Sequence, residues 1–304
     1  MRIVIPSSRL ESYIVEHSGY FTANDGTDIW YGTTGDGPPI VLCDGLACDG
    51  FIWPYLIDHL VDDFQIVRWH YPAHGRSDLP DGFDSLTIER FSRDLVGVID
   101  ALGLDEVVLA GHSMGVQVIF EHYGLAPDRV EGLIPICGSY KEPLDTFHNS
   151  DALRRALPYL RQIVDTAPEA TQAVWQRAVP SKLSHLVATL AETNPKLMRA
   201  RDIEPYLDHA SKMNVDAFVS LLENIADHSA EDLLTNVEVP TLVVAGEQDT
   251  FTPLFRSEEM AERIRESDLI VVPGGTHVGP LEAPELLNSS VEDFLRNVYD
   301  MQPT

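Results

Sequence analysis

The 304-residue chain reads as an α/β protein, with a mostly parallel sheet flanked by helices and one long helical insertion. Three observations carry that reading. Short apolar runs alternate with segments of helical periodicity toward both ends of the chain, the pattern of strands joined by crossover helices. One of those runs, Val107-Val108-Leu109-Ala110, ends in Gly111-His112-Ser113-Met114-Gly115 and leads straight into a helical stretch. From about Tyr140 to Glu238 strand signals vanish, and helical segments fill a length too great for an ordinary loop.

Residues 1–17 carry little pattern. Gly19 to Trp30 places strand-like residues on both sides of Asn24-Asp25-Gly26, and Asp-Gly between such runs predicts a hairpin. Pro38-Pro39 introduces Ile40-Val41-Leu42-Cys43, a continuous apolar run suited to a strand covered on both faces. Phe64 to Trp69 is the next strand, followed by the loop His70-Tyr71-Pro72-Ala73-His74-Gly75-Arg76-Ser77-Asp78. Thr87 is placed to cap a helix whose Ile88, Phe91, Leu95, Val98, Ile99 and Leu102 keep helical spacing, and Gly103 stops it. A strand to Ala110, a helix over Val116 to Gly124 and a strand over Val130 to Cys137 follow. In the insertion, Asp151–Thr166, Ala170–Ala178, Ser181–Thr193 and Val215–Ile225 read as amphipathic helices. Strand and helix then resume as Pro240–Gly246, Leu254–Ile264, Leu269–Val272 and Pro284–Val298. The expected division is therefore a core of 1–139 and 239–304 and an insertion of 140–238.

Composition narrows the function classes. The chain holds 21 basic against 48 acidic residues, a net charge of −27. Such a surface repels phosphate backbones and anionic lipid, so nucleic acid and membrane partners are not expected, nor are polyanionic substrates. Cys43, Cys48 and Cys137 make an odd count without a disulfide spacing, and no sharp turn of the Gly-x-Ser-x-Gly kind surrounds any of them. The first residues lack a long apolar segment, and no stretch approaches the roughly 18 apolar residues of a spanning helix. A soluble, cytoplasmic protein is expected. Its oligomeric state is not legible.

The chemistry centres on Ser113. A strand, a glycine-flanked turn and a helix are the context in which Gly-x-Ser-x-Gly acts as a nucleophile elbow. Gly111 and Gly115 remove Cβ atoms where a serine is forced into a sharp turn. The turn lifts the hydroxyl clear of the sheet and aims the Met114 N–H, at a helix N-terminus, toward any oxyanion above Ser113. A serine hydroxyl needs a base, and the base needs a partner that fixes its tautomer. After this elbow the expected order is acid, then histidine, on loops at the C-terminal ends of later strands. Asp249 lies in Gly246-Glu247-Gln248-Asp249-Thr250-Phe251-Thr252-Pro253, with Glu247 as the alternative acid and turn-capping as an alternative role. His277 follows the Leu269–Val272 strand.

These residues, with Gly275-Thr276-His277 and Leu281-Glu282-Ala283-Pro284, make the chain similar to the α/β-hydrolase superfamily over roughly Gly19 to Val298. The resemblance implies an eight-stranded, mostly parallel sheet with an inserted helical cap. It implies Ser113 as nucleophile, His277 as general base and acid, and Asp249 as the orienting carboxylate. It also implies a second oxyanion donor after the first parallel strand, here the Leu46 N–H. No metal or cofactor is implied.

Two positions depart from the family's pattern. Asp44-Gly45 stands where His-Gly is common, and Asp44 is expected to form a turn or to be hydrogen-bonded away from the oxyanion. His70 stands where Asp is usual, and the His70/His74 pair is read as loop hydrogen bonding, since a metal site would need a third ligand. A serine at 113, where epoxide and haloalkane hydrolases use aspartate, points to acyl transfer through a tetrahedral intermediate.

The insertion is expected to roof the site, with Phe147, His148, Tyr159, Trp175, Tyr206 and Phe218 as candidate lining above Leu46 and Met114. A roofed apolar pocket suits a small or medium neutral ester or lactone. Acyl transfer to another acceptor, perhydrolysis, and ligand binding without turnover remain the alternatives.

Overall fold

The computed structural model describes residues 17–184, 193–198 and 200–302. Its strands are β1 (His17–Thr22), β2 (Asp28–Thr34), β3 (Pro39–Cys43), β4 (Gln65–Trp69), β5 (Val107–His112), β6 (Val130–Ile136), β7 (Thr241–Gly246) and β8 (Ser267–Val272). They form one eight-stranded sheet in the order β1-β2-β4-β3-β5-β6-β7-β8. β2 runs antiparallel to β1 and β4, and every other pairing is parallel. The hairpin turn lies where Asp-Gly predicts it. Gly26 takes φ +88°, and the Asp25 carboxylate accepts the Thr27 N–H at 3.0 Å.

The continuous apolar runs are explained by cover on both sides. Along β3, Val41 and Cys43 pack into one buried cluster and Ile40 and Leu42 into the other. Along β5, Val107 and Leu109 face the first and Val108 and Ala110 the second. α2 (Ile88–Ala101) and α3 (Met114–Leu125) cover the first face. α1 (Pro54–Leu60) covers the second, as does a C-terminal helix, Pro284–Val298. Thr87 caps α2 by accepting the Arg90 N–H at 3.2 Å.

Between β6 and β7 the chain forms α4 (Ala152–Thr166), α5 (Pro168–Ala178), α6 (Glu204–Lys212) and α7 (Val215–Asp227). Arg161 on α4 bonds Ser220, Glu223 and Asp216 of α7. On α5, the Trp175 indole N–H donates to the Ala210 carbonyl of α6 at 2.8 Å. The Gln172 amide accepts the Val215 N–H and donates to the Met213 carbonyl. These bonds tie the four helices to one another. After β7 come α8 (Leu254–Arg263), β8, α9 (Gly279–Glu282) and α10 (Pro284–Val298).

The sequence reading gave no helix for α1 or α6. Both begin with Pro in the first turn, and α1 buries Leu56, Ile57 and Leu60 at helical spacing. They are only 7 and 9 residues long, too short to establish a period. α3 begins at Met114 and not at Val116, because the elbow ends abruptly. Most of the Ser181–Thr193 helix lies outside the described residues. Among the described residues, no helix is long and apolar enough to cross a membrane.

Candidate active site

The site stands at the C-terminal end of β5. Ser113 carries φ +56° and ψ −117°, a region that a residue with a Cβ enters only under constraint. The surrounding backbone supplies it. A Cβ on Gly115 would lie 2.2 Å from the Cys43 carbonyl oxygen, and one on Gly111 would lie 2.4 Å from the Gly115 carbonyl oxygen. The Ser113 N–H is held by the Ile136 carbonyl at 3.1 Å. α3 starts at the next residue, so the Met114 N–H belongs to the open first turn of a helix.

Two later loops bring their side chains to Ser113. His277 Nε2 lies 2.9 Å from Ser113 Oγ, and its Nδ1 lies 2.9 Å from Asp249 Oδ2. Asp249 is 5% exposed, so its oxygens need protein donors. Oδ1 accepts the Phe251 and Thr252 N–H groups at 2.8 and 3.0 Å, and Oδ2 also accepts the Thr252 hydroxyl at 2.9 Å. Capping a turn and holding the imidazole are thus one arrangement. Glu247 points elsewhere, accepting the Gly274 N–H at 2.6 Å. The two loops touch only because Gly246 lacks a side chain, since a Cβ there would meet the Thr276 carbonyl oxygen at 2.3 Å. Phe251 stacks on His277 with ring centres 4.6 Å apart, and the His112 ring holds the His277 carbonyl at 2.9 Å.

The loop after β3 forms the other side. Gly45 passes so near that a Cβ would sit 3.1 Å from the Ser113 Cβ, and Leu46 follows it at the cavity wall. Among the described residues, no hydrogen bond occupies the Leu46 or Met114 N–H. The Asp44 side chain is turned into the protein. It is 4% exposed and accepts the Trp53 indole N–H at 2.7 Å, while the Tyr71 hydroxyl donates to its backbone carbonyl. Burial pushes its carboxyl up to about 7, with Asp49 reinforcing the rise. The Trp53 donor, Arg68 and the Gly50 N–H oppose it. His70 and His74 hold loops together: His70 Nδ1 accepts the Arg76 N–H and His74 Nε2 the Ala47 N–H. Burial lowers both imidazoles to about 3, so both are neutral. Among the described residues, no cluster of His, Cys, Asp and Glu side chains suits a metal ion. Cys43, Cys48 and Cys137 are buried free thiols whose ionisation burial suppresses.

Above these groups lies a cavity of about 380 Å³ between the sheet and the inserted helices. Phe147, Tyr206 and Phe218 line it, with Leu46 and Met114 below. Tyr159 and Trp175 do not. The Tyr159 side chain faces outward and is 70% exposed, and the Trp175 ring packs behind Phe218 at 4.7 Å. His148 stays out of the wall as well, its ring against Phe147 and Phe251. Amphipathicity marks which helix face is apolar but not which helix end overlies the cavity. The sequence reading missed Phe51, Leu144, Leu222, Ile225 and Phe251. Leu222 and Ile225 lie one and two turns beyond Phe218 on α7, and Phe251 two residues after Asp249, which was the available signal. No Asp, Glu, Lys or Arg lines the cavity among the described residues.

Comparison with known proteins places this geometry in context. A family model described as the alpha/beta hydrolase fold matches residues 38–284. A protein of Azorhizobium caulinodans, provisionally named carbamate hydrolase RutD, is 26% identical over 274 residues, 88% of this chain and 94% of the relative. An (E)-2-((N-methylformamido)methylene)succinate hydrolase of Acinetobacter baylyi is 24% identical over 277 residues, 87% and 93% of the two chains. Among solved structures, an esterase from Thermogutta terrifontis superposes with a TM-score of 0.73 at 24% identity, covering 93% of this chain and 99% of its own. An enol-lactonase from Burkholderia xenovorans gives a TM-score of 0.73 at 21% identity, covering 91% and 99%. At those identities the two structures speak for the fold.

Two stability measurements check this geometry. Gly246→Ala forces the Asp249 and His277 loops apart and is expected to cost about 1–3 kcal/mol in urea unfolding. Asp44 binds a proton in the native state that the unfolded chain releases at its ordinary 3.8, so its contribution is present at low pH and is lost as pH rises through about 7. Asp44→Asn removes that loss. Relative to the parent, it should gain about 1–3 kcal/mol between pH 5 and pH 8.

Proposed function

Because the chain belongs to the alpha/beta hydrolase family, we propose that it is a serine hydrolase cleaving a small or medium neutral carboxylic ester or lactone through an acyl-enzyme. One observation carries the reading: Asp249, His277 and Ser113 form an unbroken relay with both contacts at 2.9 Å. In this reading the Asp249 carboxylate accepts the His277 Nδ1–H and fixes the tautomer, leaving Nε2 free to take the Ser113 proton. The Ser113 oxygen attacks the carbonyl carbon, and the negative charge moves to the carbonyl oxygen. The Leu46 and Met114 N–H groups face that oxygen, and each such donor contributes about 3–4 kcal/mol in comparable sites. His277 then gives its proton to the departing alcohol, and the acyl group stays on Ser113. A water repeats the sequence and frees the acid.

The cavity supports the substrate class. Its 380 Å³ volume and uncharged wall favour a neutral molecule of modest size. Phe251 against His277 and the roof of α4, α6 and α7 keep bulk water from the developing charge. We take 140–238 as a cap on a core of 1–139 and 239–304. Asp44 fits beside an oxyanion for two reasons: its carboxyl is engaged by Trp53, and burial favours its neutral form. The two sequence relatives named above are both called hydrolases, which agrees with this reading.

Ser113→Ala should leave the fold intact and lower hydrolysis of a p-nitrophenyl short-chain ester by at least about 10³-fold. A fluorophosphonate should add its mass at Ser113 in the parent alone, and retained turnover or labelling elsewhere would refute the nucleophile. Asp249→Asn should cost about 10²–10⁴-fold in kcat, because it stabilises the wrong tautomer. Glu247→Gln should stay within about threefold, since its carboxylate serves a backbone N–H. The reverse order in steady-state kinetics would transfer the acid to Glu247.

A further inference from the structure

Resting on that reading of Ser113, we propose that His74 is a positioning residue for the oxyanion site, its Nε2 fixing the loop that presents the Leu46 N–H. The imidazole is 1% exposed and lies outside the cavity wall, so it does not touch substrate. Its Nδ1 sits 3.0 Å from the Pro72 carbonyl oxygen, which only accepts. Nδ1 therefore carries the hydrogen, and Nε2 is left as the acceptor of the Ala47 N–H at 3.1 Å. The tautomer is dictated at both ends.

That acceptor is needed because of where it acts. Ala47 has φ +57°, a left-handed conformation disfavoured for a residue with a Cβ by about 1–2 kcal/mol. It is fully buried, so its N–H has no water to turn to. Leu46 lies between this strained residue and Gly45, and its carbonyl is engaged by the Cys48 thiol at 3.4 Å. Releasing the Ala47 N–H would free the 46–47 peptide plane, and the change in Leu46 φ and ψ that takes up its turn would re-aim the adjoining 45–46 peptide, which carries the Leu46 N–H. The same outer loop grips the segment a second time, through the Tyr71 hydroxyl on the Asp44 carbonyl at 2.9 Å. Tyr71 also packs edge-on against the His74 ring at 5.5 Å. On the far side stands His209 of α6, ring centres 6.2 Å apart, with its Nδ1 3.5 Å from Asp49 Oδ2. The inserted helices thus back the imidazole that backs the loop. Burial keeps His74 neutral, with its ionisation lowered to about 3, so the acceptor persists through the working pH range.

His74→Phe keeps the aromatic packing and removes the acceptor, whereas His74→Gln restores one at similar reach. With a p-nitrophenyl short-chain ester, His74→Phe should lower kcat by about 10–100-fold with KM within about twofold, and His74→Gln should recover to within about fivefold of the parent. A trifluoromethyl ketone that forms a tetrahedral adduct on Ser113 should lose affinity in His74→Phe by a similar factor. The methyl ketone of the same skeleton, bound without an adduct, should not. Should His74→Phe fail to fold, His74→Asn, too short to reach the Ala47 N–H, carries the same comparison. An unchanged kcat, equal losses for both ketones, or no recovery in His74→Gln would overturn the positioning role. If instead the parent is not labelled by fluorophosphonate at Ser113, the serine reading fails first and this inference with it.

Discussion

The architecture of the site depends on backbone packed against backbone at distances that no side chain could occupy. Ser113 is held at φ +56° where β5 turns into α3, and the turn is wedged against the end of β3. The tightest approach is at Gly115, whose missing Cβ would fall 2.2 Å from the Cys43 carbonyl oxygen. A second approach joins β7 to the loop after β8, across Gly246 and Thr276. Each contact trades side-chain volume for closeness of main chain. A hydroxyl, an imidazole and a carboxylate from three separate loops can then lie within hydrogen-bond distance.

Around that frame the Asp249 and His277 side chains are bonded in a way that leaves little rotational freedom. Asp249 has donors from Phe251, Thr252 and His277, so its orientation is fixed before the imidazole is considered. The His277 ring is fixed in turn by Phe251 on one face and by the bond from His112 to its own carbonyl. Preorganisation of this kind reduces what must rearrange when charge develops. Among the described residues, the Leu46 and Met114 N–H groups have no such partner.

Asp44 and His74 place buried ionisable side chains close to those free donors. A carboxylate beside a forming oxyanion would oppose it, yet Asp44 is buried, engaged by Trp53, and biased by burial toward its neutral form. His74 is held in one tautomer by a carbonyl behind it and an N–H in front. Both act on the segment that follows β3 without facing the cavity. The geometry of that segment is thereby coupled to the loop after β4 and, through His209, to α6.

The sequence determined by itself whatever is encoded over a few neighbouring residues. The Asp-Gly turn, the Thr87 cap, the apolar runs buried on both faces and the glycine-flanked serine are all local, and each recurs where expected. The order of Ser113, Asp249 and His277 was legible too, because each follows a strand and strand ends converge in a parallel sheet. Whether Asp249 or Glu247 faces His277 was not, since the two lie two residues apart in one loop and only its path separates them. Nor was the cavity lining: Phe147, Tyr206 and Phe218 reach it, whereas Tyr159 points outward and Trp175 packs behind Phe218. Helical periodicity gives a helix an apolar side, but the packing of the inserted helices over the core decides which residues on that side meet the cavity. The roles of Asp44, His70 and His74 were decided the same way, by partners distant in sequence or by the loop's own fold, which no local pattern encodes.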